Sequence, residues 1–476
     1  MNIQSFYTRR SFVILMALLF FLPLTFRGAR KALNSNRNDV KEWLPDEYQE
    51  TKDFEWFRSH FAGEQFVLVS WEGCVLEDQR LKLLAAHLRP PATRDDEWLF
   101  STVVTGPELL EKLTTAPTEL STPQAKRRLE GLLIGKDHNT TCAVVTLSDF
   151  GAEHLRKSIV EIRDVAQKVC AIPREKLRLG GPPVDNVALD EEGESSLHRI
   201  AIYSILVGLV ISWWCLRSPR LVAMVFVTGI YGAMLALAIV WYTGGTMNAI
   251  LLTMPSLVYV AATSGAIHLS NYYREAVEEH GIAGAAGRAV RHALLPLCLA
   301  TGTTSAGLLS LLYSELVPIK MFGVYSAAGV LGTLVPLLFV LPAMLELWPV
   351  RPKARTTPGL VSWSNPIESL PWSYAGRAIV SQGALVCFLI FGAMLAIGWG
   401  ISKAETSINL MRFFDPKAEI RRNYAWLEEN LGPLVPMEVV LRFDDERCKL
   451  NMLERLELVA AVHKQIEAIP QVGSCM

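Results

Sequence analysis

Seven stretches of the chain stay apolar for about the 20 residues a helix needs to cross a bilayer, given a rise of about 1.5 Å per residue and a hydrocarbon core of about 30 Å. They are 9–26, 199–216, 221–242, 247–269, 293–313, 318–347 and 377–400. The first is short and follows Thr8-Arg9-Arg10-Ser11-Phe12, which resembles a twin-arginine export signal. A cleaved signal is therefore the alternative there, but no small-x-small cleavage site precedes Arg27, which favours an uncleaved anchor.

Between the first and second of these stretches the period changes. Gln65–Trp71, Trp98–Val104, Thr141–Leu147 and Leu177–Gly181 read as strands, and 76–88 and 151–169 as amphipathic helices. A polar, proline-containing stretch separates the second strand from the third. Strands separated by helices on this scale predict βαβ units in an open α/β sandwich. Gly180-Gly181-Pro182-Pro183 reads as a turn into the helix that becomes the second span.

The sequence after the seventh span repeats the sequence after the first. Asn38–Pro45 aligns with Asn409–Pro416, Phe54-Glu55-Trp56-Phe57 with Tyr424-Ala425-Trp426-Leu427, and Val67–Trp71 with Val439–Phe443, at an offset near 370 residues. Duplication of one span, one soluble domain and five further spans implies about twelve helices. A lone start of the second domain leaves sheet edges and an apolar face uncovered. The chain is therefore expected to be a piece of a longer one, or to need another polypeptide or a further copy of itself.

Charge orients the spans. Arg9 and Arg10 precede the first, Arg217 and Arg220 separate the second and third, Arg274, Arg288 and Arg291 lie between the fourth and fifth, and Arg351, Lys353 and Arg355 follow the sixth. The alternate turns Thr243–Thr246 and 314–320 hold one basic residue, Lys320. The positive-inside rule then puts the N-terminus in the cytoplasm and residues 27–198 and 401–476 outside it. The expected organisation is a cytoplasmic N-terminus and first span (1–26), an extracytoplasmic α/β domain (27–198) and a five-helix bundle (199–347). A proline-rich cytoplasmic linker (348–376), the seventh span (377–400) and the start of a second extracytoplasmic domain (401–476) follow.

Composition narrows the chemistry. A net charge of −1 with no long basic stripe gives no nucleic-acid footprint. The eight cysteines include no CxxC pair, and no phosphate loop, nucleophile elbow or metal-ligand spacing is visible. Cys74, Cys142 and Cys170 share the soluble domain, where free thiols are expected and a disulfide is the alternative. No enzymatic activity, cofactor or metal is expected.

The most specific segments lie in spans four to six: Ser264-Gly265-Ala266-Ile267-His268-Leu269 followed by Asn271–Glu275, Thr301–Gly307, Pro318–Gly323 and Leu341–Leu345. With the repeat, they resemble the resistance-nodulation-division superfamily, and within it the mycobacterial-membrane-protein-large branch with its sterol-sensing-type relatives. The resemblance implies a polytopic helical membrane protein with ferredoxin-like porter domains. It also implies secondary active export of lipid or another hydrophobic substrate across the plasma (inner) membrane, driven by protons. Family members that use protons carry an acidic pair in span four; the matching positions here are Ser264 and Gly265, and no span carries a mid-membrane carboxylate. A buried carboxylate would be the group that alternates between charged and neutral.

The candidate proton or substrate pathway is therefore Ser264, His268, Thr301, Thr303 and Thr304. His268 titrates in the useful range, or simply meets a neighbour or headgroup water at a helix end. The threonines line a hydrated path, or pack helices closely. A non-transporting lipid-sensing or export-accessory protein is the competing reading, favoured by the lost acidic pair.

Overall fold

The computed structural model describes residues 3–35, 43–45, 47–60, 65–91, 97–350, 372–403, 414–416, 418–432, 439–443 and 448–469. They fall into two units, Met1–Val350 with Pro416–Met476, and Arg351–Asp415. Helix α1 (Ile3–Leu33) contains the first span and extends past it through Arg27, Arg30 and Lys31. Helix α2 (Gln49–His60) follows.

The sheet domain opens with β1 (Phe66–Trp71). Its side chains alternate between two faces, Val67, Val69 and Trp71 on one and Phe66, Leu68 and Ser70 on the other. Helix α3 (Gln79–Leu88) starts where the Asp78 carboxylate accepts from the Arg80 N–H at 3.0 Å. Strand β2 (Phe100–Thr105) runs straight into α4 (Gly106–Thr114), and α5 (Thr122–Leu129) follows. These two helices occupy the stretch read as a polar connection. Their start signals were in the sequence: Thr105 and Glu108 form a capping box, Ser121-Thr-Pro-Gln repeats that pattern, and each helix has proline in its first turn. Strand β3 (Ala143–Leu147), α6 (Asp149–Glu153), α7 (Leu155–Lys168) and β4 (Leu177–Gly180) complete the domain, with a break at His154 dividing the single helix expected at 151–169.

The strand order is β2-β3-β1-β4 and every neighbouring pair is antiparallel. This is the pairing of the ferredoxin-like domain that the family resemblance implies. Each helical crossover leaves a gap one strand wide, and a strand from the other half fills it in the opposite sense, giving the ferredoxin-like βαββαβ topology. On one side of the sheet α3 and α7 bury Leu81, Leu84, Leu88, Ile159 and Ile162. On the other, Leu68 meets Leu129, Leu133, Ile134 and Cys142, together with Leu427 and Leu431 from far along the chain.

Helix α8 (Pro182–Leu216) is one unbroken element of 35 residues. Its first half carries Asp185, Asp190, Glu191, Glu192 and Glu194, and its apolar second half, 199–216, is the second span. Helix α9 (Pro219–Tyr242), α10 (Met254–His280), α11 (Ala285–Leu309), α12 (Val317–Gly332) and α13 (Leu341–Leu347) form the rest of the bundle. Ala262 and Ala266 on α10 and Ala289 and Ala293 on α11 are fully buried, small enough to bring helices close without a polar partner. The sixth span is interrupted by a π-helical turn at Pro336–Val340, because proline lacks the N–H that would continue the ladder. The Tyr7 hydroxyl of α1 donates to the Leu338 carbonyl inside that turn.

In the second unit, α14 (Trp372–Ser381) and α15 (Gly383–Gly398) are described. A break at Gln382 divides the stretch 377–400, so the apolar helix starts six residues later than expected. Among the described residues, seven helices are long and apolar enough to cross a membrane. The chain is a multi-pass helical membrane protein with a small antiparallel sheet domain.

Helix α16 (Glu419–Asn430) and α17 (Met452–Glu467) lie beyond. The region 401–476 was expected to open a second domain, yet α16 packs along β4 and puts Leu427 into the core on the second face of the first sheet, with Leu431 just past its end. Apolar Phe66, Leu68 and Val144 on that face supply the reason. The repeat-matched helices α2 and α16 are both 12 residues long and offset by 370 at each end. Val439–Phe443, matched to β1, pairs with no strand among the described residues. The matched positions 38–42 and 409–413 lie outside the described residues.

Candidate functional site

Two helix faces meet in the bundle with space between them. Tyr203, Ser204, Val207, Gly208 and Ile211 recur at the spacing of one face of α8, and Val260, Thr263, Ser264 and Ile267 at that of one face of α10. Between them lies a cleft of about 440 Å³. Tyr203 and Val207 are largely exposed on the outer surface of the bundle, so the cleft opens sideways, where acyl chains would lie.

Glycines set its depth. A Cβ on Gly208 would stand 2.9 Å from the Tyr259 hydroxyl, and one on Gly229 of α9 would stand 2.7 Å from Thr263 Oγ1 and 2.9 Å from the Tyr259 ring. The buried Tyr259 side chain thus wedges between α8 and α9 because both partner positions lack a side chain. Thr263 Oγ1 is buried and makes no hydrogen bond of full geometry; the Tyr259 phenol beside it is a weak polar neighbour. Ser256 and Ser270, one heptad away on either side along α10, also carry buried, unpaired hydroxyls. A buried hydroxyl left unmade costs about 1–3 kcal/mol, so such a group is a standing invitation to a polar atom.

The five residues picked from the sequence disperse. Ser264 lines the cleft and is exposed to it. His268 lies one turn further along α10, exposed, outside the lining. Thr301 is buried on α11 with its hydroxyl closed onto the Leu297 carbonyl at 2.7 Å, and exposed Thr303 closes onto Leu299 at 2.9 Å. Thr304 is exposed on the same helix. The neighbouring Ser305 bonds across to the Ala327 carbonyl of α12 at 3.2 Å. Gly265 turns the other way from Ser264: a Cβ there would meet Leu337 Cδ1 of the π turn at 2.8 Å. An acidic side chain at 265 would press against that turn.

The cleft offers apolar walls and hydroxyls. The thiols of the sheet domain are free and buried, and burial pushes Cys74 up to about 12 and Cys142 higher still. Among the described residues no three His, Cys, Asp or Glu side chains gather as metal ligands would.

A sequence model of the MMPL family matches residues 101–386, well over half of the 476, and takes in both walls of the cleft. The chain belongs to the MMPL family. The resemblance to the wider resistance-nodulation-division superfamily stands with it. Among curated MMPL-like relatives, the hopanoid transporter HpnN of Burkholderia multivorans is 28% identical over 305 residues, covering 62% of this chain and 32% of its own. The putative membrane protein ActII-3 of Streptomyces coelicolor is 25% identical over 374 residues, covering 75% of this chain and 49% of its own. The MMPL chain described here thus spans about a third to a half of the length of these relatives.

Sequence reading named Ser264 and missed its neighbour Thr263, the whole α8 wall, and the Tyr259 wedge. The helical spacing of Tyr203, Val207 and Ile211 was there to be found. What it could not say is which face turns to lipid and which to another helix.

Proposed function

We propose that this MMPL protein is a membrane transporter, or part of one, that takes a hydrophobic molecule bearing one polar group from the bilayer into the α8–α10 cleft. The observation that carries this reading is an otherwise apolar, laterally open space whose wall holds Thr263, a buried hydroxyl that makes no hydrogen bond of full geometry. An amphiphilic alcohol matches it: its rings or chains fill the walls, and its hydroxyl pairs with Thr263. That a relative is named a hopanoid transporter supports a polycyclic lipid as the substrate class.

The proposed location is the plasma membrane, with the N-terminus cytoplasmic and the sheet domain outside, on the strength of the basic connections. Reporter fusions after Thr246, His280 and Arg355 test it. An outside-only reporter should be active at the first site and silent at the other two; activity at either of those two reverses the topology.

Secondary transport on a proton gradient fits the family. Among the described residues no carboxylate lies mid-span in the bundle, so in this reading the proton-carrying acid sits outside it. A lipid-sensing protein without transport is the second reading, favoured by Ser264 and Gly265 where the proton-using pattern has acids.

A photoreactive polycyclic alcohol and its deoxy analogue separate binding from greasy contact. Thr263→Val keeps the shape and removes the hydroxyl. It should lower labelling by the alcohol about five- to tenfold, the value of one hydrogen bond near 1–1.5 kcal/mol, and leave the deoxy analogue unchanged. Equal loss for both probes, or for neither, removes Thr263 from recognition. Transfer of the bound alcohol between vesicles then decides transport against sensing.

A further inference from the structure

The head of α8 follows β4 directly and meets α7 through Arg156–Glu194 and Arg163–Glu191. A tyrosine from the distant helix α16 bridges it to the turn after β4. Tyr424, buried, accepts a hydrogen bond from the Gly181 N–H at 3.2 Å and donates one to Asp185 Oδ1 at 2.6 Å. It thereby bridges the turn after β4 and the first turn of α8. At the other end of α16, Glu419 pairs with Arg174 at 3.1 Å and with Arg163 of α7 at 3.8 Å. The end of α16 pins through Leu427 and Leu431 in the sheet core. Helix α8 is unbroken from Asp185 to the cleft wall at Ile211, a lever of about 40 Å at 1.5 Å per residue. Whatever holds its head is mechanically connected to the cleft.

We propose that α16 is a pH-sensitive latch on the head of α8, closed most firmly when Asp185 is protonated and loosened when Asp185 is ionised. The geometry places a carboxyl in a mostly desolvated niche with a phenol as its hydrogen-bond partner. Burial raises the Asp185 pKa from an ordinary 3.8 to about 6, partly offset by the Tyr424 hydrogen bond. Burial and then the Asp185 charge push the Tyr424 phenol far above its usual value, so it stays a donor throughout. When the latch opens, Asp185 regains water and its ordinary affinity for protons. Closing therefore takes up a proton at intermediate pH. The stabilisation of the closed state is complete below about pH 4 and is lost as pH rises through about 6.

Other charged groups surround the niche. They are Arg163 on α7, Glu191 on α8, Arg178 on β4 (turned to Glu72), and Glu419 and Glu428 on α16; β1 contributes none. A variant of Asp185 alone separates its titration from theirs.

The test is hydrogen exchange on the purified full chain in lipid nanodiscs, at pH 5 and pH 7.5, corrected for chemical exchange. It reads α16 directly and needs no ligand, so it succeeds or fails independently of the proposed transport. In the wild type the amides of Ile420–Leu431 should be about tenfold better protected at pH 5, the ratio that values of 3.8 and about 6 give. Asp185→Asn keeps an acceptor for Tyr424 and cannot ionise, so its protection should be high and the ratio close to one. Tyr424→Phe removes the bridge and should lower protection at both pH values. A wild-type ratio near one, a ratio in Asp185→Asn that matches wild type, or unchanged protection in Tyr424→Phe overturns the latch.

Discussion

Replacing Ser264 by tryptophan is expected to abolish capture of a photoreactive polycyclic alcohol while leaving the protein folded. Ser264 faces the cleft from the α10 wall and is exposed, so an indole there displaces no packed neighbour. It does occupy a large part of a space of about 440 Å³. Any ligand that shares the volume must clash or move, and each 1.4 kcal/mol so lost is a factor of about ten in affinity. Labelling should fall at least about tenfold, with the melting temperature in detergent within a degree or two of wild type. Full labelling of Ser264→Trp would place the ligand elsewhere and remove the cleft from the mechanism. Thr263→Val asks a finer question of the same wall, because it tests polarity at constant shape.

The second large effect is structural. Gly181→Ala should lower the thermal transition of the sheet domain by roughly 5–10 °C, as expected for a loss of about 2–3 kcal/mol in a domain of this size. Gly181 has φ of 114°, where an L-residue is strained by about 1–3 kcal/mol. The added Cβ would also stand 2.5 Å from the Phe66 carbonyl oxygen, a backbone atom of the central strand that cannot swing away. Gly73 is the control. Its φ of 84° is also positive, but a Cβ there meets nothing within 4 Å, so Gly73→Ala should cost only the backbone term. Equal shifts for the two variants would show that the contact with Phe66 carries no weight. Because the Gly181 N–H is one anchor of Tyr424, Gly181→Ala should also release α16 at every pH.

The membrane helices were legible because a bilayer imposes a blunt length and composition on whatever crosses it. Even so, Gln382 breaks the seventh stretch and Pro336 interrupts the sixth, local backbone events that a hydropathy window averages away. The sheet domain was legible as strands and helices, but its pairing was not. The nearly unbroken apolar run Phe66–Trp71 says that the strand has two buried faces, and says nothing of which strand lies beside it. Helices α4 and α5 are signalled by the capping boxes at Thr105 and Ser121, within a stretch whose polar, proline-containing composition reads as a connection.

What the sequence by itself determined is the environment of each segment: seven apolar helices for lipid, one alternating α/β region for water, and a family whose pattern runs through both. Helix period also fixed that Thr263 and Ser264 share a wall with Val260 and Ile267. Only the tertiary structure decided that this wall faces α8 across open space, that Tyr259 fits between two glycines on different helices, and that Tyr424 reaches Asp185 from 239 residues away. Burial and spacing are properties of a segment and can be read one residue after another. Partners distant along the chain are chosen by the packing of whole faces, an energy that no single segment contains.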